Sequence, residues 1–166
     1  HSKFNVEFIR TLILLEKFDE AVDFAKSLEK EKKFFFETYL VLGLDSYKNK
    51  DYPTADKYFK EIIKIPGYKF FFENFIGNIL ISWNKASQGM KKESFEHLLK
   101  ISGEYNQLNK VQNVLLKCYF DSIQTEEAFV DIIENKNYNF SRYNFFLANY
   151  LLRKNKIEKA KKVIKN

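Results

Sequence analysis

The stretch Ala21-Val22-Asp23-Phe24-Ala25-Lys26-Ser27-Leu28 returns in pattern as Ala55-Asp56-Lys57-Tyr58-Phe59-Lys60-Glu61-Ile62. Each begins with a small residue, skips two positions to one or two bulky apolar residues, and skips two more to another apolar residue. Apolar residues at i+3, i+4 and i+7 share one face of an α-helix, and a small residue on that face lets a second helix approach closely. The pattern recurs around Ser94 with Phe95, Leu98, Leu99 and Ile101, around Ala128 with Phe129, Ile132 and Ile133, and around Ala160 with Val163 and Ile164. The small residues stand at 21, 55, 94, 128 and 160, at intervals of 34, 39, 34 and 32. Near-constant spacing in that range marks stacked helix pairs.

A second amphipathic helix precedes each of these, across a short polar turn: Glu16-Lys17-Phe18-Asp19, Asn49-Lys50-Asp51-Tyr52, Gln124-Thr125-Glu126 and Lys154-Asn155-Lys156. Pro53 follows Asp51 closely, where a missing amide proton costs nothing and the fixed dihedral suits a helix's first turn. Pro66 and Gly67 are expected to end that helix. The third pair departs from the period, and Lys85 to Lys92, with Gly89, reads as a longer turn or an extra helical turn. Lys33-Phe34-Phe35-Phe36-Glu37 is echoed by Lys69-Phe70-Phe71-Phe72-Glu73, each at the start of a first helix. Their rings are expected to seal the joints between hairpins, at roughly 1.5–3 kcal/mol per fully buried Phe.

Composition agrees. The 166 residues are 45% hydrophobic and 30% charged, with eighteen Phe and ten Tyr against five Gly and two Pro, too little punctuation for many short strands. No apolar run reaches the roughly 20 residues that cross a bilayer, so a soluble protein is expected. The lone Cys118 excludes an internal disulfide framework and accords with a reducing compartment, with the cytoplasm favoured over the periplasm. Net charge is +6, yet residues 153–166 hold seven bases against Glu158 alone, and the other 152 residues balance at 21 of each sign. A nucleic-acid reader would carry its basic stripe across a working surface, so this partner is disfavoured.

These residues resemble the tetratricopeptide repeat (TPR) family, whose unit is a 34-residue helix hairpin. The best match is residues 36–69, with Tyr39, Leu42-Gly43, Tyr47, the Lys50-Asp51-Tyr52 turn, Ala55, Phe59 and Pro66. Residues 2–35, 109–141 and 142–166 match more loosely, and 70–108 most loosely. The resemblance implies an all-α fold, a right-handed α-α superhelix of about five hairpins forming a single solenoid over residues 1–166. The chain reads as a fragment of a longer array, and its Phe-, Lys- and Asn-rich style fits an AT-rich bacterial genome.

In that family the first helices line a concave face that binds peptides or protein segments. The corresponding face here starts at Val6, Arg10 and Ile13 and continues through Glu37, Leu40, Val41, Leu44, Tyr47, Glu73, Ile76, Leu80 and Trp83. It then takes in Lys110, Asn113, Lys117, Phe120, Arg142, Phe145, Asn149 and Arg153. Apolar early and basic late, it would complement an amphipathic segment with an acidic end. The Lys/Asn clamp by which some members hold a C-terminal carboxylate is absent from the first three hairpins. A structural or self-associating role within a larger protein is the second reading. An enzyme is not expected: His97 stands alone on its helix, Cys118 has no His near it in sequence, and no Gly-rich phosphate loop exists. No cofactor or metal is expected.

Overall fold

A computed structural model describes residues 2–65, 75–101, 103–134 and 141–165. They form ten α-helices: α1 (Ser2–Leu14), α2 (Phe18–Lys30), α3 (Phe36–Lys48), α4 (Tyr52–Ile63), α5 (Asn78–Ser87), α6 (Lys91–Leu99), α7 (Asn106–Tyr119), α8 (Thr125–Ile133), α9 (Asn144–Arg153) and α10 (Ile157–Lys165). Short 3₁₀ turns, Gly103–Tyr105 and Ser141–Tyr143, lead into α7 and α9. The fold is all-α, with no strand among the described residues. None of the described helices is long and apolar enough to cross a membrane.

The helices fall into two compact units, His1–Ser102 and Gly103–Asn166. In the first, each of α1 to α5 packs on the helix that follows it, and α1 also touches α3. In the second, α7 packs on α8, α8 on α9 and α9 on α10. All five recurring small residues, Ala21, Ala55, Ser94, Ala128 and Ala160, are buried.

The joints between hairpins share one register. Ala25 and Leu28 of α2 cluster with Val41 and Leu42 of α3. Phe59 and Ile62 of α4 cluster with Ile81 of α5, and Ile132 of α8 clusters with Leu147 of α9. In these three joints, the fourth residue after one hairpin's small residue belongs to the same cluster as the residue thirteen before the next hairpin's small residue. Gly43 lies at the α3–α4 crossing, where a Cβ would sit 2.5 Å from the Phe59 ring. Polar bonds add to the packing both between hairpins and within one. Tyr58 of α4 donates its hydroxyl to Glu29 of α2 at 2.9 Å, and Ser82 Oγ of α5 donates to the Ser94 carbonyl at 2.7 Å. Burial, with that bond to Glu29 and the charges of Glu29 and Asp51, pushes the Tyr58 hydroxyl up to about 12.

The turns also repeat. Glu16, Lys50, Gly89, Asp121 and Asn155 all take positive φ just after a first helix. Around each, two amides reach back to the helix's last free carbonyls, as Lys50 N to Tyr47 O at 3.0 Å and Asp51 N to Ser46 O at 2.9 Å. This left-handed cap satisfies carbonyls that would otherwise lack partners. Four of the five positions hold a residue other than glycine, which carries a conformational cost there. Lys50→Gly is therefore expected to raise stability by about 0.5–1 kcal/mol, the relief of left-handed strain less glycine's added chain entropy, as read from urea unfolding.

The third turn differs from expectation. α5 runs to Ser87 and α6 starts at Lys91, so the Gly89 turn has the same three residues, 88–90, as the turns at Lys50 and Asn155. The extra length lies between Ala55 and Ser82. The longer turn is the one at residues 120–124. Pro53 sits in the first turn of α4, and Asp51 caps it by accepting the Thr54 amide at 3.2 Å. Of the first Phe triplet, Phe35 and Phe36 pack against the core while Phe34 stays exposed, stacked on Tyr39. Pro66, Gly67 and the second triplet with Glu73 lie outside the described residues.

Candidate functional site

Along α7, Gln107, Lys110, Val114 and Lys117 recur every three or four residues and so share one face, with Asn113 beside Val114. Opposite them on α8 stand Ala128, Asp131 and Ile132. Together they line a cleft of about 270 Å³ in the second unit. Its floor is the unit's own core, because Val114, Ala128 and Ile132 are buried members of the cluster that includes Leu147 and Leu151. Its rim is polar, with Lys110 and Asp131 exposed and Asn113 and Lys117 half-buried. The Gln107 carboxamide oxygen is buried without a hydrogen-bond partner. Leaving such an acceptor unmet costs roughly 1–3 kcal/mol.

Lys110, Asn113 and Lys117 of the expected groove thus come together in one cleft. Arg142, Asn149 and Arg153 are exposed elsewhere in the second unit, near and along α9, and Phe120 is half-buried. In the first unit, Leu40, Leu44, Tyr47 and Leu80 pack half-buried against Ala55, Phe59, Ile62 and Ile81. Ile76 and Trp83 are half-buried as well. Polar pairs join successive first helices along this face. Arg10 of α1 donates to Glu37 of α3 at 2.6 and 3.0 Å, and Tyr47 of α3 bonds Ser87 of α5 at 2.6 Å. Gln107, Val114, Ala128, Asp131 and Ile132 were not anticipated as site residues. Gln107 lies one turn before Lys110 on the same stripe, a spacing that could have drawn it in.

His97 and Cys118 are both half-buried. His97 Nδ1 pairs with Asn78 Oδ1 at 3.1 Å, and burial together with the Lys100 charge holds its pKa below the ordinary histidine value. Burial, with the charge of Asp121, pushes the Cys118 thiol up despite the opposing charge of Arg153. Among the described residues no group of three or more His, Cys, Asp or Glu is placed to hold a metal ion. The terminal bases are largely engaged: Lys156 and Lys159 both reach Glu126 at 2.6 Å, Lys161 pairs with Glu158 and Lys154 with Asp121.

No family model, no curated protein and no solved structure matches the chain.

Proposed function

We propose that this chain is a non-catalytic, TPR-like helical-repeat scaffold, a right-handed superhelix in architecture, whose α7–α8 cleft binds a segment of another protein. The observation that carries this reading is the cleft's composition. An apolar floor of Val114, Ala128 and Ile132 takes one or two aliphatic side chains, as recognition pockets commonly do. Lys110 and Lys117, about two helical turns apart on one face, attract an acidic end, and Asp131 on the opposite wall selects against placing that end across the cleft. The engagement of Lys154, Lys156, Lys159 and Lys161 in ion pairs favours this reading over nucleic-acid binding through the terminal helix.

The test is anisotropy with a fluorescein-labelled peptide in which two leucines precede a Glu-Glu end. The native chain is expected to bind it, and Lys110→Glu with Lys117→Glu to weaken binding at least tenfold. Arg142→Glu, outside the cleft, should change it less than twofold. Affinity should fall between low and moderate salt, since the lysines act through exposed charge. Equal affinity for the double variant and the native chain would remove the cleft from the account.

A further inference from the structure

Around the α7–α8 cleft the charges are sorted by wall. Lys110 and Lys117 stand on α7 and Asp131 on α8, with Val114, Ala128 and Ile132 forming the floor between them. Among the described residues none of these three charges is held by an ion pair or a hydrogen bond, unlike Lys154, Lys156, Lys159 and Lys161. An occupant gains most when it turns acids toward α7, a base toward α8 and apolar side chains toward the floor.

The spacing of these residues selects the occupant's conformation. Lys110, Val114 and Lys117 rise by about 6 Å and then about 4.5 Å along α7, at about 1.5 Å per residue. A second helix lying along α7 has the same pitch, so its side chains at i, i+4 and i+7 keep step with all three. An extended segment presents alternate residues about 6.6–6.8 Å apart, and its third contact falls about 3 Å beyond Lys117. Backbone bonding selects the same conformation. The helical walls have spent their own N–H and C=O groups on their internal ladders. Of the residues lining the cleft only Gln107 and Asn113 carry amides, and the Gln107 oxygen is buried. A helix arrives with its backbone already bonded, whereas an extended segment would leave polar groups unmet against Val114 and Ile132.

We propose that the segment bound in this cleft is an amphipathic α-helix with leucine-like residues three apart on its inner face, two acids seven apart on the flank toward α7 and a base on the flank toward α8. This rests on the cleft being the binding site, as proposed above, and adds the occupant's conformation and charge layout. The acids pair with Lys110 and Lys117 and the base with Asp131. Reversing the helix would exchange its flanks, so the charges also set the direction in which it lies.

Anisotropy with labelled peptides tests this. The sequence Glu-Leu-Ala-Ala-Leu-Lys-Ala-Glu, placed in an alanine-rich host of roughly 18 residues, is long enough to be helical alone. It puts both leucines on one face, both acids on one side of that face and the lysine on the other. The native chain is expected to bind it. Proline in place of the second central alanine keeps every contacting side chain but breaks the helix, and should weaken binding at least tenfold. Glutamate in place of the peptide's lysine should weaken binding at least fivefold, and Asp131→Lys should restore it to within twofold. Asp131 is exposed, so its substitution should leave the circular dichroism spectrum unchanged. A proline peptide that binds as tightly as its parent overturns the proposal and leaves the cleft with an extended occupant. So does an Asp131→Lys chain that fails to recover the charge-swapped peptide. If neither this peptide nor the Leu-Leu-Glu-Glu peptide binds, the cleft itself falls and the proposal with it.

Discussion

Gly43→Ala is expected to destabilise the first unit by about 1–3 kcal/mol, and Gly43→Leu by more, because either side chain overpacks a filled crossing. The sign is the informative part. In an ordinary helix interior alanine is better than glycine by about 0.8–1 kcal/mol, so the exchange should stabilise wherever space allows. Here the new Cβ would lie 2.5 and 2.8 Å from two carbons of the Phe59 ring, against an ordinary carbon–carbon contact of about 3.5–4.0 Å. The ring cannot retreat, since Phe59 is 1% exposed and enclosed by Ala55, Ile62 and Ile81. Urea unfolding followed by circular dichroism measures the change. Phe59→Leu should cost less in the Gly43→Ala background than alone, with a coupling of about 0.5–3 kcal/mol. A stabilising Gly43→Ala would mean that α3 and α4 do not cross closely at this point.

That crossing shows why part of the fold was legible in the sequence. Small residues at a fixed phase have a geometric meaning that any reader of helical periodicity can use, and all five are buried. The matching positions on the first helices were harder to see. Ile9, Gly43, Ser82, Leu116 and Ala148, each twelve before its small residue, are all buried, yet they share neither size nor polarity. The turns escaped notice for a related reason: glycine is the usual signature of a left-handed cap, and only Gly89 among the five first-helix caps has it. Treating the extra residues of the third pair as turn was a consequence. In sequence Gly89 suggests an irregular segment, whereas it closes the same turn that Lys50 and Asn155 close at greater conformational cost.

The residues of the α7–α8 cleft are legible in sequence where they are charged and opaque where they are apolar. Lys110, Asn113 and Lys117 are polar, so periodicity placed them on the outer side of a helix, and the cleft includes all three. Leucine carries no such label. Leu40, Leu44 and Leu80 fit equally a groove that faces a partner and a core that faces a neighbouring helix, and their half-burial against the Phe59 cluster shows how much of their surface the fold itself uses. The residues that make the cleft apolar, Val114, Ala128 and Ile132, are core residues on one side and floor on the other. No one-dimensional pattern separates those two roles.

Because floor and core are the same residues, Phe129→Ala should remove binding and stability together. Phe129 of α8 is fully buried in the cluster with Val111, Val114, Ile132 and Leu147. Truncating such a ring to a methyl group costs about 3–5 kcal/mol, combining lost burial with the cavity left behind. A domain's whole stability is about 5–15 kcal/mol, so the second unit should lose much of its helical signal well below the native melting temperature. Phe129→Leu keeps most of the apolar volume and should retain a folded second unit. The comparison separates two origins of weakened peptide binding. Lys110→Glu with Lys117→Glu should weaken binding at full helicity, because exposed charge contributes little to the fold. Phe129→Ala should weaken it only in proportion to the fraction unfolded, and cooling or a stabilising osmolyte should restore both signals in parallel. If Phe129→Ala costs less than about 1 kcal/mol, or if binding persists while α7 and α8 are unfolded, then the cleft is not built on this core.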